Sequence, residues 1–116
     1  MKSRIKTYLV DQEGRSFWGS GIVLLLRRTE ELGSLNAAAK ELGMAYTKAL
    51  KLLRRAEEGL GCKLLERRIG GAGGGGSVLT DRARMEIDRY EGFRRACCQA
   101  ADELFAAYYG QGREQE

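Results

Sequence analysis

Seven cationic side chains crowd one short stretch of the chain. Lys48, Lys51, Arg54, Arg55, Lys63, Arg67 and Arg68 lie between Tyr46 and Arg68, opposed only by Glu57, Glu58 and Glu66, an excess of +4. The whole chain of 116 residues has 20 Lys+Arg against 16 Asp+Glu, a formal net charge of +4, so the remainder is balanced. A merely solvated surface would intersperse the two signs more evenly. Concentrated cations on an otherwise balanced protein are what neutralising the phosphates of a polyanion requires. The spacing sharpens this. Thr47, Lys48, Lys51, Arg54 and Arg55 recur at helical intervals on one side, and Ala49, Leu52, Leu53, Ala56 and Leu60 form an apolar stripe on the other. One face can pack while the opposite one meets an anion.

The elements that must position these residues are legible around them. Leu35, Ala38, Ala39 and Leu42 predict a short helix starting near Ser34 or Asn36, whose alanines admit a close neighbour, and Gly43 supplies the bend into a second helix over about 46–60. The segment 34–60 is thus a helix-turn-helix. Leu64–Arg68 reads as a strand, Gly70–Gly76 as a glycine-rich tip and Ser77–Leu79 as the return strand, giving a β-wing over 64–79. A phosphate-binding loop is the other reading of such glycines, but the Lys-Ser/Thr pair that should follow the last glycine is missing. Upstream, Arg4–Val10 and Ser16-Phe17-Trp18 flank a turn signal at Asp11–Gly14, which predicts a strand or hairpin over 4–18. A supporting helix follows over 20–32, with Ser20 as its N-cap and Gly33 as its stop. Phe17 and Trp18 are expected to anchor the N-terminal strand against it.

Behind the wing, Thr80 and Asp81 start a helix that runs over 81–109 before Gly110, roughly 40 Å at 1.5 Å per residue. A core this small cannot cover such a length, so part of the helix should project. Ala83, Ile87, Tyr90, Cys97, Ala101, Leu104 and Tyr108 step by three and four along it, with Arg94 interrupting, and are predicted to be the seam of a homodimer. Gly92 marks a bend or close crossing point. Residues 110–116 read as a polar tail.

The expected fold is mainly α with a small β component, a winged helix-turn-helix over 1–80 whose domain also includes a long C-terminal dimerisation helix at 81–109. The chain has no histidine, and Cys62, Cys97 and Cys98 form no CxxC pair, so no metal site and no cofactor are expected. The cysteines are read as small packing residues in a reducing cytoplasm, with a redox switch as the lesser alternative. No nucleophile–base pair suggests an enzyme. No apolar run reaches membrane-spanning length and no cleavable leader is visible, so a cytoplasmic protein without a membrane partner is expected.

The segments FWGSGIVLLL (17–26), GSLNAAAKELGMAYTKALKLLRRAEEGLG (33–61) and LLERRIGGAGGGGSVLT (64–80), with the long helix after them, together resemble the N-terminal DNA-binding domain of the ModE-type molybdate-responsive regulators. The helix-turn-helix core is also similar to that of LysR-type regulators. The glycine-rich wing points more specifically to the molybdate group. The resemblance implies a winged helix-turn-helix that dimerises through its terminal helix and binds a palindromic operator. It implies that Tyr46, Thr47, Leu50 and Lys51 face the major groove and that Arg67 and Arg68 sit in the wing near the DNA backbone. Ala45 stands where the family usually carries a serine as recognition-helix N-cap. The strands of an oxyanion-binding domain are not seen in these residues, so no molybdate site is expected on this chain and any sensing is expected elsewhere.

Double-stranded DNA and a second copy of the chain are therefore the expected partners. Lysine donates to guanine O6/N7 and threonine hydrogen-bonds or touches a thymine methyl, so Lys51 and Thr47 suit base edges. Lys48, Arg54, Arg55, Arg67 and Arg68 suit phosphates. The alternative function is a protein-interaction module, or accessory partner of another regulator, that uses the basic helix and the long helix.

Overall fold

The computed structural model of the chain describes residues 1–68 and 76–110. Its first elements are β1 (Tyr8–Val10) and β2 (Ser16–Gly19), an antiparallel hairpin with an irregularity between Leu9 and Val10. The strand expected from Arg4 onward is shorter than its β-forming residues suggest. Tyr8 pairs with Gly19, where the chain turns into a helix, and no partner strand remains for residues 4–7.

That helix, α1 (Ser20–Leu32), buries Ile22, Val23, Leu25, Leu26 and Thr29, and the left-handed Gly33 ends it. Ser20 is the first helical residue rather than its cap; Gly19 holds the N-cap position and no side chain bonds there. The buried Thr29 hydroxyl donates to the Leu25 carbonyl at 2.8 Å, so it enters the core satisfied. Then come α2 (Leu35–Glu41) and α3 (Tyr46–Leu60). Ser34 caps α2 by accepting from the Ala37 amide at 3.0 Å. Gly43, at φ +70°, makes the turn between the two helices, and the Met44 amide donates back to the Ala39 carbonyl at 2.8 Å. Ala38, Ala39, Ala49 and Ala56 are at most 1% exposed, and their small side chains are what lets α1, α2 and α3 approach. Arg28 ties α1 to α2 by donating to Glu41 at 2.6 Å, a bond that raises its already high pKa.

The wing is β3 (Leu65–Arg68) paired antiparallel with β4 (Gly76–Leu79), Arg67 opposite Ser77 and Arg68 opposite Gly76. Of the glycine tip expected over Gly70–Gly76, Gly76 instead opens β4, and the rest, like the polar tail from Gln111, lies outside the described residues. Last comes α4 (Asp81–Tyr109), with Thr80 accepting from the Ala83 amide at 3.0 Å as its cap.

The fold is the winged helix-turn-helix expected, and one part of the long-helix reading needs correction. Ala83, Ile87 and Tyr90, placed in a dimer seam, belong to the chain's own core, at 0%, 2% and 4% exposure. The Tyr90 hydroxyl donates to the Thr7 carbonyl at 2.9 Å and lies 3.0 Å from the Thr7 hydroxyl. Arg27 on α1 grips Glu91 through two bonds, at 2.5 and 3.2 Å, which lowers the Glu91 pKa and raises that of Arg27. The first turns of α4 therefore complete the domain core and are closed to a partner. Beyond Glu91 no residue of the helix is fully buried, though Arg94, Cys98, Ala101 and Asp102 still line a groove with Ser3, Arg4 and Ile5, and the molecule stretches to 63 × 31 × 25 Å. Cys97 and Ala101 are half-buried there, and Leu104 and Tyr108 are 59% and 77% exposed.

Candidate nucleic-acid interface

Burial of Ala49, Leu53 and Ala56 sets the rotation of α3, because a helix with that stripe against the core turns the residues between them to solvent. Thr47, Lys48, Lys51, Arg54 and Arg55 are all exposed. Lys51 stands mid-stripe, within one turn of each of the other four. Arg54 lines a surface groove with Glu57, Glu58, Cys62 and Lys63 on the wing side, whereas Arg55 lines one with Tyr8, Ser16 and Phe17 on the hairpin side. The two residues implied by resemblance alone fit this stripe less simply. Tyr46 is 46% exposed at the helix start, and Leu50 is half-buried and packs against the core, at the edge of the exposed face.

Ion pairing ties up many of the basic residues outside the interface, though Lys2, Arg4, Lys6, Lys40, Arg94 and Arg95 there have no ion pair among the described residues. Arg15, Arg27, Arg28, Arg82, Arg84 and Arg89 each bond a carboxylate of the same chain. Among the described residues, Lys48, Lys51, Arg54, Arg55, Arg67 and Arg68 have no acidic partner. Lys63 differs from its neighbours in the basic stretch, lying 3.9 Å from the Glu57 carboxylate. Six unpaired cations on one helix and one hairpin can engage an external polyanion without first surrendering an internal bond.

The start of α3 adds neutral donors. Ala45 is the N-cap and contributes no side-chain bond, and the first backbone amides paired within the helix are those of Lys48 and Ala49, both to the Ala45 carbonyl. The amides of Tyr46 and Thr47 therefore point out of an uncapped helix start, beside the Thr47 hydroxyl. Unpaired amides at a helix N-terminus suit a phosphate.

Three residues that hold the wing went unnoticed in the sequence as site determinants: Glu57, Gly76 and Thr80. The Glu57 carboxylate accepts from the Leu64 amide at 2.9 Å, and Thr80 donates through its hydroxyl to the Lys63 carbonyl at 2.8 Å. The Ser77 amide donates to the Gly33 carbonyl at 2.8 Å, and a Cβ at Gly76 would stand 2.5 Å from that same carbonyl oxygen. The one local hint was the carboxylate in the last turn of α3, which opposes the helix dipole and so has to be retained for another reason.

Residues 23–84 match the model of the bacterial regulatory helix-turn-helix proteins of the lysR family, a span from within α1 to the first turn of α4. The chain is similar to the transcriptional regulator ModE of Haemophilus influenzae, 36% identical over 69 residues. That alignment takes in 60% of this chain and 27% of the relative, so the chain spans about a quarter of the length of the curated relative it matches.

Proposed function

The chain belongs to the lysR family of bacterial regulatory helix-turn-helix proteins and is a DNA-binding transcriptional regulator, and from the geometry of α3 and the wing we infer how it reads DNA. Two copies bind a palindromic operator, each laying α3 in a major groove, with the two grooves about 34 Å apart. Lys51 and Thr47 read base edges, flanked by Tyr46 and Leu50. Lys48, Arg54, Arg55, Arg67 and Arg68, with the open amides at the start of α3, hold phosphates and so set orientation. The observation that supports this reading is the clustering of free cations: among the described residues, Lys48, Lys51, Arg54 and Arg55 on α3 and Arg67 and Arg68 on the wing are all exposed without an acidic partner, on two neighbouring elements.

The dimer forms through the projecting half of α4, where Cys97, Ala101, Leu104 and Tyr108 continue the apolar spacing beyond the core. Likeness to the transcriptional regulator ModE takes in about a quarter of that relative, so nothing beyond DNA reading is drawn from it.

Titration of duplex DNA of random sequence at increasing salt separates this function from a protein-interaction module. Binding at low salt that falls steeply with log salt, with a shallower slope for Arg67→Ala, is the expected result. Absence of binding even at low salt would favour the interaction module.

A further inference from the structure

We propose that Glu57 is a positioning residue of the DNA site: its carboxylate fixes the angle between α3 and the wing, so that Arg67 reaches a phosphate while α3 occupies the groove. The inference rests on the DNA-reading role proposed above. Charge alone argues the opposite, since a carboxylate between Arg54 and Lys63 should repel DNA and be a liability at the interface.

Its bonds explain its presence. The Glu57 backbone carbonyl accepts from the amides of Gly61 and Cys62 at 2.8 and 3.2 Å, and its carboxylate accepts from the Leu64 amide at 2.9 Å with Lys63 Nζ at 3.9 Å. One residue thus gathers the whole connection between α3 and β3. The Glu57 side chain is only 16% exposed, and Leu64 is fully buried. A charge-assisted bond in such a half-dry place resists competition from water. The Leu64 carbonyl then accepts from the Thr80 amide at 3.0 Å, which carries the same anchor to the start of α4. Farther along, the hairpin is held a second time where Ser77, the partner of Arg67 in the ladder, bonds Gly33. A strand clamped at its base and beside Arg67 has little freedom to swing.

The test is duplex DNA binding by Glu57→Gln, Glu57→Ala and Glu57→Asp, each with and without Arg67→Ala. Gln keeps the acceptor and loses the charge; Ala loses both; Asp keeps the charge and cannot reach Leu64. If Glu57 positions the wing, Gln binds within twofold of the parent, and Ala and Asp bind about fivefold more weakly. Arg67→Ala, costing about five- to tenfold in the parent, should then cost less than twofold in the Ala and Asp backgrounds. A carboxylate acting only by repulsion predicts the reverse order, with Gln and Ala both binding more tightly than the parent. Equal Arg67→Ala costs in every background would overturn the positioning role and leave the DNA-reading role standing. No Arg67→Ala cost in the parent would overturn both. Should Glu57→Ala fail to fold by circular dichroism, the Asp variant decides the matter.

Discussion

Ala45 shows how much a single missing hydroxyl leaves open at the start of α3. Of the four helices, α2 and α4 are capped by Ser34 and Thr80, and α3 begins without a side-chain cap. Restoring the hydroxyl should satisfy an open amide, so Ala45→Ser is expected to stabilise the fold by about 1 kcal/mol in denaturant titration. No gain would mean that the α3 start is already satisfied in solution. Glu91 makes a pH-dependent contribution at the same scale. Arg27 lowers its folded pKa below that of the unfolded chain, so its stabilisation is complete above about pH 5 and fades as pH falls through the lowered folded value. The pair is partly solvated, with side chains 43% and 27% exposed, which holds the contribution to about 1 kcal/mol or less. Glu91→Gln should therefore lose that much at pH 7 and show a flatter loss of stability below pH 5. A pH profile parallel to that of the parent would contradict this assignment.

At the scale of elements, two helical glycines make opposed predictions. A Cβ at Gly59 on α3 would fall 2.1 Å from Cδ1 and 2.2 Å from Cγ of Phe17, so the ring itself must move, whereas at Gly92 on α4 nothing lies within 4 Å. Alanine gains about 1 kcal/mol of helix propensity at either place. At Gly92 that gain is unopposed and Gly92→Ala should raise the melting temperature. At Gly59 overpacking of about 1–3 kcal/mol outweighs it, and Gly59→Ala should lower the melting temperature. Similar shifts from both variants would show that Phe17 does not press on α3.

The same elements show what periodicity could reveal. The start of α4 at the Thr80 cap and the end of α1 at Gly33 lie where the residues signal them, because such signals are local, whereas the cap expected at Ser20 falls on Gly19. The half-buried place of Leu50 and the wing clamp at Glu57 were hidden, because each depends on residues brought together by tertiary packing. In α4 the apolar spacing marks one continuous seam, of which Ala83, Ile87 and Tyr90 are buried in the chain's own core, because spacing is silent on which chain does the burying. Tyr90 finds its partner 83 residues away, in Thr7.

For the whole molecule, the long axis of 63 Å comes from a helix rooted in the core by Ala83, Ile87 and Tyr90, flanked as far as Asp102 by the N-terminal segment Ser3–Ile5, and projecting beyond it. Its outer half carries Leu104 and Tyr108 exposed, and Phe105 stacked on Tyr109 at 5.3 Å between ring centroids. In the proposed homodimer this half is the seam, and Leu104→Asp should yield a folded monomer by light scattering, with binding to an operator weakened by at least tenfold. A variant that remains dimeric would move the interface elsewhere. Both ends of the molecule act together in the proposed complex: α3 reads sequence, the wing holds the backbone, and two-fold symmetry spaces the half-sites. Selection of bound duplexes from a random-sequence pool by the parent, Lys51→Ala and Arg67→Ala tests it most directly. The parent should enrich a palindrome with half-sites one helical turn apart, Arg67→Ala should recover the same palindrome with weaker binding, and Lys51→Ala should relax it at specific positions. An unchanged palindrome from Lys51→Ala, or no palindrome from the parent, would contradict it.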